Sequence, residues 1–176
     1  MGTGFVLDWI MAVADDGQQD RDDKRNKKAT KKFPPKRVGE IGELEFIQTA
    51  IRKGFRVSKP WGESDHYDAI TDWRGKLLRV QVKATEHTSK DRGYMVHACV
   101  YVGNESVGLT KKDIDVLAAY ISPEDSWYII PVEHFVPLKS LWFNPGSTKS
   151  KFEKFREAWH WLKRKKKPKS RVGPAR

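Results

Sequence analysis

The stretch Ser64 to Thr85, SDHYDAITDWRGKLLRVQVKAT, constrains this chain more than any other part of it. It reads as two short apolar runs joined by Trp73-Arg74-Gly75-Lys76, where Gly75 can take the positive φ that a tight hairpin turn needs. Side chains alternate across a strand, so residues two apart share a face. In LRVQVKA, Gln81 and Lys83 therefore point one way while Val80 and Val82 point the other. Pairing with the run Tyr67 to Thr71 brings Asp68 within reach of the Gln81 and Lys83 face. A charge inside a sheet is costly unless it is paired or bound to an ion, and such a cluster can hold a divalent metal beside a phosphate. The same pattern also fits an amphipathic hairpin with Asp68, Gln81 and Lys83 in solvent. Periodicity does not separate the two.

At 176 residues the chain is long enough for one domain with a core, plus tails. No apolar run approaches the ~20 residues of a membrane span, and the opening GFVLDWIMAVA lacks a basic leader, so neither a membrane anchor nor a signal peptide is expected. A lone cysteine, Cys99, leaves no partner for an internal disulfide or a cysteine zinc site and fits a reducing cytoplasm. The five histidines show neither an i, i+4 pair nor a cysteine partner, which speaks against zinc. A phosphate-binding Gly-x-x-x-x-Gly-Lys-Ser/Thr loop is absent, which speaks against a P-loop NTPase. His66 abuts Asp68 and is expected to face solvent.

The net charge of +11 is unevenly distributed. Residues 1–23 hold six acids and one base, and residues 24–37 eight bases and no acid. Residues 38–148 hold thirteen bases and fifteen acids, and residues 149–176 twelve bases and two acids. Dense basic flanks such as KRNKKATKKFPPKR and LKRKKKPKSR attract phosphate backbones through counterion release, without reading sequence. A solvated tail or an acidic membrane surface is the competing reading of the same composition. Three zones are expected: residues 1–35 as a disordered tail, acidic and then basic, 36–162 as one folded domain, and 163–176 as a basic disordered tail.

Within the middle zone a first helix is expected, with an apolar stripe at Val38, Ile41, Leu44, Ile47 and Ile51 and Gly54 to end it. Glu40 and Glu43 lie near its start, where acids also favour the helix dipole. Phe55 to Val57 reads as an edge strand, Met95 to Val102 as one strand, and Ile114 to Tyr120 and Trp127 to Val132 as two more joined by a turn. A closing helix from Lys149 to Leu162 places Phe152, Phe155, Trp159 and Leu162 on one face. The fold class is α+β, a mixed sheet between an N-terminal and a C-terminal helix. Trp61, Trp127, Trp142 and Trp161 can stack on bases, although tryptophans at this density more often build a core.

Gly39-x-x-x-Glu43 in a first helix, Asp68 entering a strand and Gln81-Val82-Lys83 on the next resemble the PD-(D/E)XK nuclease superfamily. Within it, the chain is most similar to the branch of small bacterial endonucleases related to group I intron homing endonucleases. The resemblance covers roughly residues 38–135 and is strongest in GEIGELEF, PWGESDHYDAITD, LLRVQVKAT and DIDVLAAY. It implies a restriction-endonuclease-like core with Glu43, Asp68, Gln81 and Lys83 as catalytic residues. Of these, Glu43, Asp68 and Gln81 would be the ligands of Mg²⁺ or Mn²⁺. Gln81 replaces the second acid of the family signature, a trait of the intron-nuclease branch, and Tyr67 stands where the signature has proline. Glu63 and Asp65 lie near enough in sequence to supply a missing charge, although a loop position is the favoured reading, and Thr85 can support the site by hydrogen bonding. The implied activity is hydrolysis of DNA phosphodiester bonds by a homo-oligomer. The alternatives are a catalytically inactive nucleic-acid-binding protein of the same fold, a branched-DNA resolvase or an RNA-directed nuclease.

Overall fold

The structure, a computed structural model, describes residues 33–62 and 64–163. Both expected basic tails and the acidic segment lie outside the described residues, apart from the few positions that border the folded unit. Helix α1 spans Pro35–Arg52, with proline at its first position, where a missing N–H costs no hydrogen bond. Gly54 ends it with a φ of 87°, its N–H bonded to the Ile51 carbonyl at 2.9 Å. Among the described residues no helix is long and apolar enough to cross a membrane.

Among the described residues ten strands follow: β1 Arg56–Ser58, β2 Ala69–Trp73, β3 Lys76–Thr85, β4 Thr88–Ser89, β5 Gly93–His97, β6 Cys99–Val102, β7 Glu105–Gly108, β8 Val116–Ile121, β9 Ser126–Pro131 and β10 Ser140–Phe143. The principal sheet has the order β1-β2-β3-β8-β9. All its neighbours are antiparallel except β3 and β8, which run parallel in the register Gln81↔Leu117 and Lys83↔Ala119. The sheet is therefore mixed and the class α+β, as the residues suggest. The β2–β3 turn has positive φ at both Arg74 and Gly75, the geometry whose twist matches the flanking strands. The Asp72 carboxylate accepts the Gly75 N–H at 2.8 Å.

Both faces of the sheet are covered, which is why every residue of β8 and β9 is buried instead of alternate ones. On one face Val80, Val82, Val116, Ala118 and Ile129 pack with Phe46, Trp127 and Trp159. On the other, Leu117, Ala119, Ile121, Tyr128 and Ile130 pack with Val96, Leu141 and Phe143, from the small sheet β10-β5-β4.

Three expectations need correction. The buried face of α1 is Gly42, Phe46 and Ala50, while Leu44 and Ile51 are 68% and 55% exposed. Small residues let the helix backbone approach the sheet: a Cβ on Gly42 would stand 2.5 Å from that of Ala84. The stretch Met95 to Val102 is two strands in separate sheets, parted at Ala98, whose N–H bonds to Lys139 and whose carbonyl bonds to Leu109. The closing helix is absent; two short 3-10 turns, Glu153–Phe155 and Trp159–Lys163, take its place. Between them Arg156 is extended and bridges Tyr128, while Glu157 exchanges backbone and side-chain hydrogen bonds of 2.7 Å with Trp127. Pairing the exposed backbone of edge strand β9 outweighs local helix propensity there. Phe152, Phe155, Trp159 and Leu162 are nevertheless all buried. Trp127 is a core residue at 4% exposure, stacked on Tyr120 at 4.5 Å, as tryptophans at this density more often are, whereas Trp61 is fully exposed.

Candidate active site

Asp68 precedes β2, and its N–H already pairs with the Val80 carbonyl of β3 at 2.9 Å. That register aims its side chain along β3. Oδ2 accepts hydrogen bonds from the Gln81 side-chain amide at 2.5 Å and from the Val82 backbone N–H at 2.7 Å. Oδ1 accepts none from the described residues. Gln81 is 5% exposed and its amide also leans on the Val82 carbonyl at 3.4 Å. The solvated-hairpin reading therefore does not describe Gln81, which lies inside the sheet with Asp68 as its partner.

Lys83 is two residues further along the same face and half-buried. No hydrogen bond or ion pair fastens its ammonium to another described residue, yet its charge is felt at Asp68. Glu43 comes from α1, and its carboxylate binds the Lys59 ammonium at 2.6 Å. Desolvation raises the Asp68 carboxyl from 3.8 to about 6, with the Glu43 charge adding to the rise. The Val82 N–H, Lys83 and Lys59 pull the other way. Four sequence-singled residues, Glu43, Asp68, Gln81 and Lys83, thus act on one small region. What brings Glu43 there is the bare Gly42 contact with Ala84, one residue beyond Lys83 on β3.

Other candidates sit elsewhere. Thr85 is buried, but its hydroxyl accepts the His87 N–H at 3.2 Å and so serves the end of β3. Asp65 is exposed, and Glu63 lies outside the described residues. His66 is exposed, as expected, and its Nδ1 lies 3.0 Å from Asp113. Lys59 was legible only as part of a break between strands; the sole hint of its role is a lysine shortly before the acids of GESDHYD. Among the described residues no three His, Cys, Asp or Glu side chains gather as a metal cluster. The oxygen donors available here are two carboxylates and one amide.

Comparison with known proteins places the chain in a family. No curated protein matches the chain. A solved bacterial homing endonuclease, I-Ssp6803I, shares 28% sequence identity and superposes with a TM-score of 0.67, covering 74% of this chain and 93% of that one. A model of the PD-(D/E)XK endonuclease family matches residues 33–160. That match spans most of the chain, and the chain belongs to the PD-(D/E)XK endonuclease family.

Proposed function

We propose that the protein is a metal-dependent endonuclease that hydrolyses DNA phosphodiester bonds, with Glu43, Asp68, Gln81 and Lys83 as its catalytic residues. The observation that supports this most is the Asp68 carboxylate, desolvated beside a second carboxylate yet bonded at 2.5 Å to Gln81. Burying the Asp68 carboxylate near a second acid costs stability unless a cation relieves it. Their donor chemistry, two carboxylates and a neutral amide oxygen, suits a hard divalent ion such as Mg²⁺ or Mn²⁺. Glu43, Asp68 and Gln81 would hold it. When bound, such an ion supplies Lewis acidity toward the scissile phosphate and lowers the pKa of water.

The chain's own residues do the rest. The Val82 N–H and the Gln81 amide fix the Asp68 carboxylate in direction. Lys83 sets a positive charge beside it, where negative charge builds on the phosphate as the bond from water oxygen to phosphorus forms and one P–O ester bond breaks. An ammonium there can also donate a hydrogen bond that orients the attacking water. Lys59 neutralises Glu43 at 2.6 Å and keeps that carboxylate close.

A duplex presents two strands of opposite polarity, so cutting both calls for two copies of this site and supports a homo-oligomer. The single cysteine, Cys99, is buried and unpaired, which suits a reducing cytoplasm. The test is cleavage of supercoiled plasmid with Mg²⁺ or Mn²⁺ by the full chain. Nicking that needs the metal and is lost in Asp68→Ala and Lys83→Ala is expected. Protein that leaves plasmid, linear, branched and single-stranded DNA intact refutes the reading, and preferential cutting of RNA reassigns the substrate.

A further inference from the structure

The face of β3 that carries Gln81 and Lys83 also carries Arg79, by the same period of two. No hydrogen bond joins Arg79 to Asp68, Gln81 or Lys83. Its guanidinium donates to the backbone carbonyls of Lys112 and, at 3.0 Å, Lys111, and its Nε donates to the Asp115 carboxylate at 3.3 Å. The Asp115 N–H donates to the Arg79 carbonyl at 2.9 Å and the Arg79 N–H to the Asp115 carboxylate at 3.0 Å, which pins the far end of the same turn. A second tie comes from the other side: His66, two residues before Asp68, meets Asp113 at 3.0 Å. Asp113 in turn accepts the Thr110 N–H at 2.8 Å and hydroxyl at 2.7 Å.

The consequence is a sorting of charge. Both acids of the segment are consumed internally, Asp113 by Thr110 and His66 and Asp115 by Arg79. Both lysines are exposed, and neither forms an ion pair with a described residue. A sequence that is neutral on paper, KKDID, thus presents a net positive turn fastened at two points, to β3 by Arg79 and to the segment leading into Asp68 by His66. Holding the backbone by Arg79 lowers the ordering cost of using the two ammonium groups together.

We propose that the Lys111–Lys112 turn, clamped by Arg79, is a phosphate-gripping element that holds a nucleic-acid backbone beside the Asp68, Gln81 and Lys83 face. This rests on the reading of that face as a nuclease site and adds where the substrate backbone is gripped. Arg79 is a positioning residue here, acting through the turn it shapes.

The test uses the full chain with a fluorescently labelled DNA duplex in EDTA, so that nothing is cut, and reads anisotropy across a series of NaCl concentrations. Each phosphate contact contributes about 0.9 to the slope of log affinity against log salt. Lys111→Ala/Lys112→Ala should lower that slope by about 2, and Lys111→Arg/Lys112→Arg should restore it. Arg79→Met, which keeps both ammonium groups but frees the turn, should weaken binding severalfold with an unchanged thermal unfolding cooperativity. An unaltered slope in the double alanine variant overturns the proposal while leaving the nuclease reading intact. So does an equal loss in Lys149→Ala/Lys151→Ala, which would reduce the effect to net charge. A wild-type chain that fails to bind DNA even at the lowest salt overturns both.

Discussion

Strands β3 and β8 lie side by side in parallel register, yet they are built for different ends. Across from Leu117 and Ala119, each 0% exposed, stand Gln81 and Lys83. Both strands are central and covered on both faces, so apolar residues at all four positions would be the stable choice. β8 makes that choice throughout. β3 departs from it at the two positions that share a face with Asp68, whose carboxyl is raised by its own burial and drawn back down by Lys83. On the proposed function the polar patch serves chemistry, and its apolar neighbour supplies the rigidity that holds it.

The difference can be broken in several ways. Largest is the effect of removing the charge from β3: Lys83→Ala should lower cleavage by roughly 10²–10⁴-fold while leaving the fold intact, read as single-turnover rate beside a melting curve. Retained cleavage would strip β3 of its chemical role. Moving the charge to β8 is the mirror experiment. Ala119→Lys sets an unpaired ammonium inside a filled core and should cost about 3–5 kcal/mol or prevent folding; a chain that tolerates it would show that the two strands are interchangeable.

Asp68 sharpens the comparison through pH. Its folded carboxyl titrates at about 6 against an ordinary 3.8, so the folded state holds the proton more tightly than the unfolded one. That contribution to stability is complete below about pH 4 and is lost as pH rises through about 6. The shift corresponds to roughly 3 kcal/mol. Without metal, Asp68→Asn should therefore unfold later than wild type at pH 7.5, by up to that amount, and close to it at pH 4. Urea titrations at the two pH values decide it, and an equal difference at both would contradict the raised carboxyl.

Smaller effects probe what the helix brings. Gly42→Ala forces a Cβ to 2.5 Å from that of Ala84 and should cost about 1–3 kcal/mol, with cleavage falling further than stability because Glu43 shifts. Smallest is Lys59→Met. The pair with Glu43 is 58% exposed on the lysine side, so thermal stability should change by less than about 1 kcal/mol, and isothermal titration with Mg²⁺ should show an altered affinity. An unchanged affinity would make Lys59 a bystander.

The central hairpin was legible because its signals are local. Alternation fixed which side chains of β3 share a face, Gly75 marked the turn, and thirteen residues from Asp68 to Gln81 measured one strand, turn and return. The α1 stripe misled because Leu44 and Ile51 are apolar by type but face solvent, whereas glycine at 42 is what meets the sheet. The closing segment carried a helical spacing of aromatics that burial satisfies without a helix. Its backbone was drawn instead to the unpaired edge of β9.

By itself the sequence determined the chemistry on offer: an acid, an amide and an ammonium at strand spacing, a glutamate upstream on a helix, and the family they mark. Only the tertiary structure decided how close these come, since Asp68 meets Gln81 through strand register and Glu43 arrives through a helix whose glycine admits the sheet. It also decided which charges remain outward, because Arg79 and His66 spend the acids of the Lys111–Lys112 turn across some thirty to fifty residues of chain. Alternation and turn chemistry act over a few residues and can be read along the chain. Burial, ion pairing and edge pairing depend on partners that only folding brings together.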